Sequence, residues 1–217
     1  MPLKYNEYTL NELGVNDMNK RQEQKAKTRE HIIQIAFDEF SKNGLTNTPT
    51  ADIAAAAKVS HGTIFAHFPT REILLDAVIE EFGMRITRRL HELVDETCGM
   101  REILEAHLKG IAEYEDFYIR LISEAPLLQE GSRNTLIMIQ SAISFHLTQV
   151  AEREQSNLRI KKMPLNLMFN TWIGLIHYYL INQDMFAPGK SVVSTYGEMW
   201  IQHFINLISV DEGGKEK

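Results

Sequence analysis

The sequence predicts an all-α fold: a three-helix amino-terminal head containing a helix-turn-helix, followed by a carboxy-terminal helical bundle, about nine helices in all. Three observations carry that expectation. Apolar residues recur at three- and four-residue spacing down almost the whole chain, the mark of amphipathic helices. Proline and glycine are sparse, at 6 and 12 of 217 residues, so few positions interrupt those helices. The stretch from Thr48 to Leu75 packs two very short helical patterns and a tight turn into a space too small to be a domain alone.

The head reads element by element. Lys25 to Lys42 places Ile32, Ala36 and Phe40 one turn apart with Ile33 and Phe37 beside them, and Asn43-Gly44 closes the helix. Thr48 is expected to cap the next helix, with Pro49 at its first position, where a missing N–H costs nothing. Ile53, Ala54 and Ala57 form its apolar face. Ser60 is a second cap, opening a seven-residue helix from His61 to His67 that Phe68-Pro69 ends, because a residue before proline is pushed out of helical geometry. Thr70 caps a further helix with Glu72 in its first turn, where negative charge suits the dipole. A helix, a short turn and a helix whose first turn is small and polar form the pattern that presents a recognition helix to the major groove.

The flanks make the pattern specific. The apolar first helix ending in Phe40 and Gly44, then Thr48, Asp52-Ile53-Ala54, Ala57, Val59-Ser60, Gly62-Thr63, Phe65, His67-Phe68, Arg71-Glu72 and Leu74, resembles the TetR family of bacterial one-component regulators over about residues 25–80. The sequence departs from the family at Lys58, where a glycine is usual in the turn, at Phe65, where a tyrosine is usual, and at Arg71, where lysine is more common. The resemblance and the helix placement together imply DNA contacts from Thr48, Thr50, Ser60, His61, Gly62, Thr63, Phe65, His67 and Arg71. Ser60 already has an adequate role as a cap, Phe65 one in packing, and Phe68 belongs to the core.

Net charge is −6, and its division matters more than its sum. Residues 20–71 hold eight lysines and arginines (Lys20, Arg21, Lys25, Lys27, Arg29, Lys42, Lys58, Arg71) against five acids (Glu23, Glu30, Asp38, Glu39, Asp52). The head is therefore +3 and the remainder −9: positive charge sits where a phosphate backbone needs it, on an acidic body. No run approaches a membrane span, and the amino terminus lacks the charged and apolar regions of a signal peptide. A single cysteine, Cys98, excludes an intramolecular disulfide and fits a reducing cytoplasm, the expected location.

Along the chain, residues 1–20 read as a polar extension, 21–70 as the DNA-binding head, 71–211 as a ligand-binding and dimerisation body, and 212–217 as a polar tail. The helix from Arg71 carries Leu74, Val78, Phe82, Ile86, Leu90 and Leu93 on one stripe. Gly99 precedes one or two helices over Met100–Ser123, a loop spans Ala125–Ser132, and a long helix runs from Arg133 to about Gln155. The last two helices, Met163–Ile181 and Val192–Ile208, are apolar on more than one face, and so expect burial on more than one face. A partner subunit is the expected cover. The family's four-helix dimer interface agrees, and implies contacts from Leu167, Gly174, Gly197, Trp200, Ile201, Phe204 and Ile205.

The resemblance also implies a small-molecule effector in the body. Phe117, Phe145, Trp172 and Tyr178 are the candidate lining, with His146 or His177 as its polar point, and a run of Glu113, Glu115 and Asp116 favours a polar or cationic group on an otherwise apolar ligand. An aromatic stripe at helical spacing is also what a plain core looks like. No cofactor is expected. No metal is either, since His146, His177 and His203 lack i, i+4 partners suited to zinc. No nucleophile elbow, phosphate-binding glycine loop or catalytic carboxylate pair occurs, so an enzyme is not the expected class. The functional expectation is a homodimeric repressor released from a palindromic operator by its effector. Two alternatives stand beside it: a helical interaction module, and a constitutive DNA binder without an effector.

Overall fold

The computed structural model describes the backbone of residues 8–93 and 97–210 and the side chains of residues 20–92 and 97–210. Its elements run α1 (Tyr8–Asn43), α2 (Thr50–Ala56), α3 (His61–His67), α4 (Arg71–Leu93), α5 (Met100–Ala112), α6 (Glu115–Glu124), α7 (Glu130–Ser156), α8 (Leu165–Ile181), α9 (Gln183–Phe186) and α10 (Val192–Ile208), with a 3-10 turn at Ala125–Leu127. Among the described residues there is no strand, only an isolated bridge between Ile160 and Ser209 that ties the α7–α8 link to the end of α10. Among the described residues the count is ten helices rather than about nine, the addition being the four-residue α9.

Helix α1 starts at Tyr8, well before Lys25. Residues 8–24 contain no proline, and Leu, Glu, Gln, Lys, Arg and Met among them favour helix. The expected extension is thus helical from Tyr8, while residues 1–7 and the expected 212–217 tail lie outside the described residues. At its other end α1 stops where expected. Gly44 takes φ +92°, and its N–H donates to Phe40 O at 3.0 Å. The positive φ favours glycine, and a Cβ there would also lie 2.9 Å from a Glu124 carboxylate oxygen, which would have to shift.

Thr48 does not cap α2. It is buried, and its hydroxyl donates to Gly44 O at 2.7 Å, while Pro49 occupies the cap position with no side-chain bond. Helix α2 ends in a Schellman turn: Val59 N–H reaches Ala54 O at 3.0 Å and Lys58 N–H reaches Ala55 O at 3.2 Å. That turn needs a left-handed residue, and Lys58 adopts it with φ 55°. Leu158 does the same after α7, with φ 57°. A side chain in this region costs about 1–2 kcal/mol, and glycine loses about 0.5–1 kcal/mol of that advantage through the unfolded chain. Lys58→Gly is therefore expected to stabilise the fold by about 0.5–1 kcal/mol. Denaturant midpoints check this; an unchanged midpoint would show that the turn carries no such strain.

Helix α4 links head to body. Leu74, Val78, Phe82, Ile86 and Leu90 are all buried, as their stripe predicts, and α4 packs on α1, α5 and α7. A Cβ at Gly83 would meet Ile139 at 2.6 Å, so the α4–α7 crossing depends on that glycine. Ser191 caps α10, accepting from Ser194 N–H at 3.0 Å. Glu115 adds to the cap from α6, its carboxylate accepting from Ser191 Oγ and Val192 N–H, each at 2.6 Å.

The last two helices correct the dimer expectation. Gly197, Trp200, Ile201 and Phe204 are buried within the single chain. Trp200 packs 5.2 Å from Tyr179, Phe204 5.2 Å from Trp172, and a Cβ at Gly197 would lie 3.3 Å from Leu108. Helix α10 is two-faced because it packs on both α5 and α8. What remains outward is Leu167, Gly174, Tyr178 and Ile181 on α8 with Met199 and Leu207 on α10, and Ile205 half-buried between.

Candidate nucleic-acid interface and regulatory core

The candidate interface begins with how α3 is held. Ser60 Oγ accepts from Thr63 N–H at 3.0 Å and shares a second bond with Thr63 Oγ1 at 2.8 Å, fixing the first turn. Ile64 and Phe68 are buried and anchor the helix to the head's core. The opposite face, His61, Gly62, Phe65 and Ala66, is exposed, with Thr63 partly so. His61 is braced from two sides: its Nε2 lies 2.9 Å from Thr50 Oγ1, and its ring meets Phe65 edge-on at 4.8 Å. Phe65 is 42% exposed and so serves this face rather than the core.

Two residues expected at this surface are spent elsewhere. Thr48 is buried as described. Arg71 points inward: its Nε donates to Thr48 O at 3.0 Å, its guanidinium also bonds Leu45 O, and it lies 5.7 Å over the Phe40 ring. It staples the loop before α2 rather than facing a phosphate. The cations that do stand beside α3 come from α1. Lys25 and Arg29 form, with Gln22 and His67, a cleft beside the carboxy end of α3, and Arg29 sits 5.0 Å over Phe68. Burial first, and then Lys25 and Arg29, hold the His67 imidazole below its ordinary pKa. A phosphate in the cleft would reverse that, since an anion favours the charged ring. Lys25 and Arg29 were visible only as part of a charge count; their pairing with His67 requires α1 and α3 to cross.

Helix α6 clamps the same loop from the body side. Glu124 accepts from Leu45 N–H at 3.0 Å and from Thr46 N–H and Oγ1, each at 2.7 Å, while Arg120 donates to Ser41 O and Lys42 O at 3.4 Å. Head and body are therefore joined by polar contacts as well as by packing.

The body's core differs from the expected lining. Phe117 belongs to the joint between head and body, stacked on Phe37 at 4.2 Å and 5.3 Å from Phe82. Phe145 and Tyr178 are 58% and 57% exposed, which places them on the outside. His146 sits beside His91, rings 4.8 Å apart, and its pKa is lowered by burial and by that neighbour. Glu113 is paired with Arg89, and Glu115 caps α10, so neither offers a carboxylate to a cationic ligand.

Trp172 and His177 do come together, with Tyr118, whose aromatic ring the sequence also offers as lining, and with His107, which it does not single out. Trp172 Nε1–H donates to His107 Nδ1 at 3.0 Å, and Tyr118 OH lies 2.7 Å from His177 Nε2. Burial, and secondarily His177, lowers the His107 pKa to about 3, and burial lowers that of His177 to about 4. Burial likewise pushes the Tyr118 phenol above its ordinary range, so the group is neutral throughout. His107 had a signal: it shares a helical face with the apolar Ile103, Leu104 and Ile111, where an imidazole must be buried. Among the described residues no three His, Cys, Asp or Glu side chains converge as metal ligands, and no helix is long and apolar enough to cross a membrane.

A capped recognition helix on a three-helix head, carried by a larger helical body, defines the class of helix-turn-helix proteins. Residues 32–78 match the model of the bacterial regulatory proteins of the tetR family. An HTH-type transcriptional repressor of Mycobacterium tuberculosis is 45% identical over 60 residues, 28% of this chain and 32% of its own length. The chain thus spans about a third of the length of the first curated relatives it matches. A TetR-family regulator structure from Rhodococcus sp. superposes with TM-score 0.72 at 18% identity, covering 84% of this chain and 98% of that one. The regulator FadR of Bacillus subtilis, solved in complex with stearoyl-CoA, gives TM-score 0.67 at 19% identity over 81% and 97%. Residues 32–78 thus match the DNA-binding region of the TetR family, and the whole chain has the fold of solved TetR-family regulators.

Proposed function

We propose that this protein is a homodimeric transcriptional repressor in the cytoplasm that reads a palindromic operator and releases it when a small, largely apolar effector binds the body. The observation that carries DNA reading is the exposed face of α3, with His61, Gly62, Thr63 and Phe65 outward and the cationic cleft of Lys25, Arg29 and His67 at its end. Base-edge contacts come from the first turn of α3 and phosphate contacts from the cleft. Selection of bound fragments from random duplex DNA, followed by footprinting, tests it. The expected product is an inverted repeat with half-sites about 34–36 Å apart, or a multiple of that. Recovery of no sequence preference would overturn operator recognition.

The dimer in this reading forms through the outward stripe of α8 and α10. Leu167, Gly174, Tyr178 and Ile181 repeat at helical spacing, and a self-complementary contact across them is isologous. An obligate contact of this type buries on the order of 2,000 Å² or more. Gly174 gives a clean probe, because a Cβ there has nothing within 4 Å and glycine weakens a helix interior. Gly174→Glu is expected to yield a folded monomer in sedimentation at micromolar concentration; a dimer of native affinity would sink the assigned face.

Effector release rests on the body's neutral polar core and on the α6 clamp. The related fold that holds stearoyl-CoA supports an apolar ligand in a helical body of this kind. A constitutive binder is distinguished by operator affinity that no body-bound ligand alters.

A further inference from the structure

We infer that Thr50 and His61 read one base as a unit: the Thr50 hydroxyl donates to an operator phosphate and accepts from His61 Nε2–H, which leaves His61 Nδ1 as an acceptor for the amino group of adenine or cytosine. This deepens, and rests on, the reading of α3 as the helix that enters the major groove. Its basis is a bond between two helix starts. Thr50 is the first residue of α2 and His61 the first of α3, and Thr50 Oγ1 lies 2.9 Å from His61 Nε2. Among the described residues this is the only hydrogen bond of either side chain, so His61 Nδ1 is unspent. The imidazole also meets the Phe65 ring at 4.8 Å and 87°, and the two contacts together restrict its turning at an exposed position.

In a helix-turn-helix the second helix enters the groove by its first residues, while the first helix crosses the sugar–phosphate backbone. The start of α3 then faces base edges, the start of α2 faces phosphate, and the Thr50–His61 bond joins the two. Proton counting fixes its sense. A hydroxyl has one proton, and a neutral imidazole has one donor nitrogen and one acceptor. A phosphate oxygen only accepts, so a Thr50 hydroxyl that donates to it can meet His61 only as an acceptor. Nε2 therefore carries the ring's proton and Nδ1 presents a lone pair. The donors in the major groove are adenine N6 and cytosine N4, whereas guanine O6 and N7 and thymine O4 accept. An Nδ1 lone pair bonds the first two and opposes the others. Thr50 touches no base in this arrangement; it is a positioning residue that sets which base His61 takes.

Selection from random duplex DNA, run side by side on the native protein, Thr50→Val, Thr50→Ser and His61→Phe, tests the unit. The native protein is expected to recover adenine and cytosine over guanine and thymine by roughly tenfold at one position of each half-site, the increment of one hydrogen bond. Thr50→Val keeps the side chain's shape without its hydroxyl. It is expected to lose that preference at that position alone, and to bind every sequence more weakly by one common factor for the lost phosphate contact. Thr50→Ser should restore both, and His61→Phe should lose the preference at the same position. With ring-¹⁵N histidine in the native protein on its selected site, at about pH 8 where an ordinary imidazole is neutral, Nε2 of His61 should carry the proton and Nδ1 none. That resonance needs no variant to fold. A proton on Nδ1 in the complex, an unchanged preference in Thr50→Val, or loss of preference at many positions at once would each overturn the unit while leaving α3 as a reader of DNA. Absence of any sequence preference in the native protein would instead overturn operator reading itself, and the unit with it.

Discussion

Gly62→Asp is expected to lower operator affinity on the order of a hundredfold or more while leaving the fold intact. A Cβ at Gly62 meets nothing nearer than Ser60 Oγ at 3.7 Å, an ordinary contact, so the side chain has room. The position is exposed in the first turn of α3, where an aspartate improves helix propensity and complements the dipole. Stability should thus stay level or rise by a few tenths of a kcal/mol. Against DNA the same carboxylate faces base edges and phosphates with a like charge, which costs several kcal/mol. The two readouts move in opposite directions, which separates a lost contact from a lost fold. Thermal melts and mobility shifts on the selected operator measure them; native affinity in Gly62→Asp would mean that α3 does not read DNA.

Acid is expected to unfold the protein earlier than its carboxylates alone would. His107 titrates near 3 in the folded chain, and an unfolded histidine near 6.5. Above pH 6.5 both states are neutral and the group's contribution to stability is fully present. As pH falls from 6.5 towards 3, the unfolded state takes up a proton that the folded core refuses, and stability drops by about 1.4 kcal/mol per pH unit. His177, with its pKa near 4, acts in the same direction but less, because it is partly exposed. Urea unfolding of native protein and His107→Gln from pH 7 to 4.5 isolates the effect, since glutamine still offers Trp172 an acceptor and does not titrate. The variant's stability should fall with a slope smaller by about one proton; parallel slopes would mean that His107 is protonated in the fold or solvated.

These two predictions rest on different kinds of legibility. The candidate recognition helix is local: Ser60 as cap, seven residues, and Phe68-Pro69 as stop bound α3 at His61–His67, because each signal acts within one turn of the residues it governs. Gly44 closing α1 and the stripe of α4 are of the same kind. His107 was not legible as a hydrogen-bond partner, although its place in an apolar stripe marked it for burial, because its role depends on Trp172, which is 65 residues away. Arg71 misled for a related reason. Its charge fits a phosphate contact, but Leu45 O and Thr48 O lie within reach only once α4 folds back against the loop.

The amino-acid sequence by itself determined the all-α class, the helix-turn-helix and its caps, and the concentration of positive charge in the head, since periodicity, capping and composition are properties of neighbouring residues. Tertiary structure alone decided which apolar face of α10 is inside. Trp200 and Phe204 look the same in sequence as Met199 and Leu207, yet α5 and α8 bury the first pair and leave the second exposed. It also paired Lys25 and Arg29 with His67, turned Glu115 into a cap for a helix more than seventy residues on, and left His107 Nε2 buried without an acceptor. Each of these depends on which helices cross, and a crossing is set by packing between segments distant in the chain, a quantity that no local pattern contains.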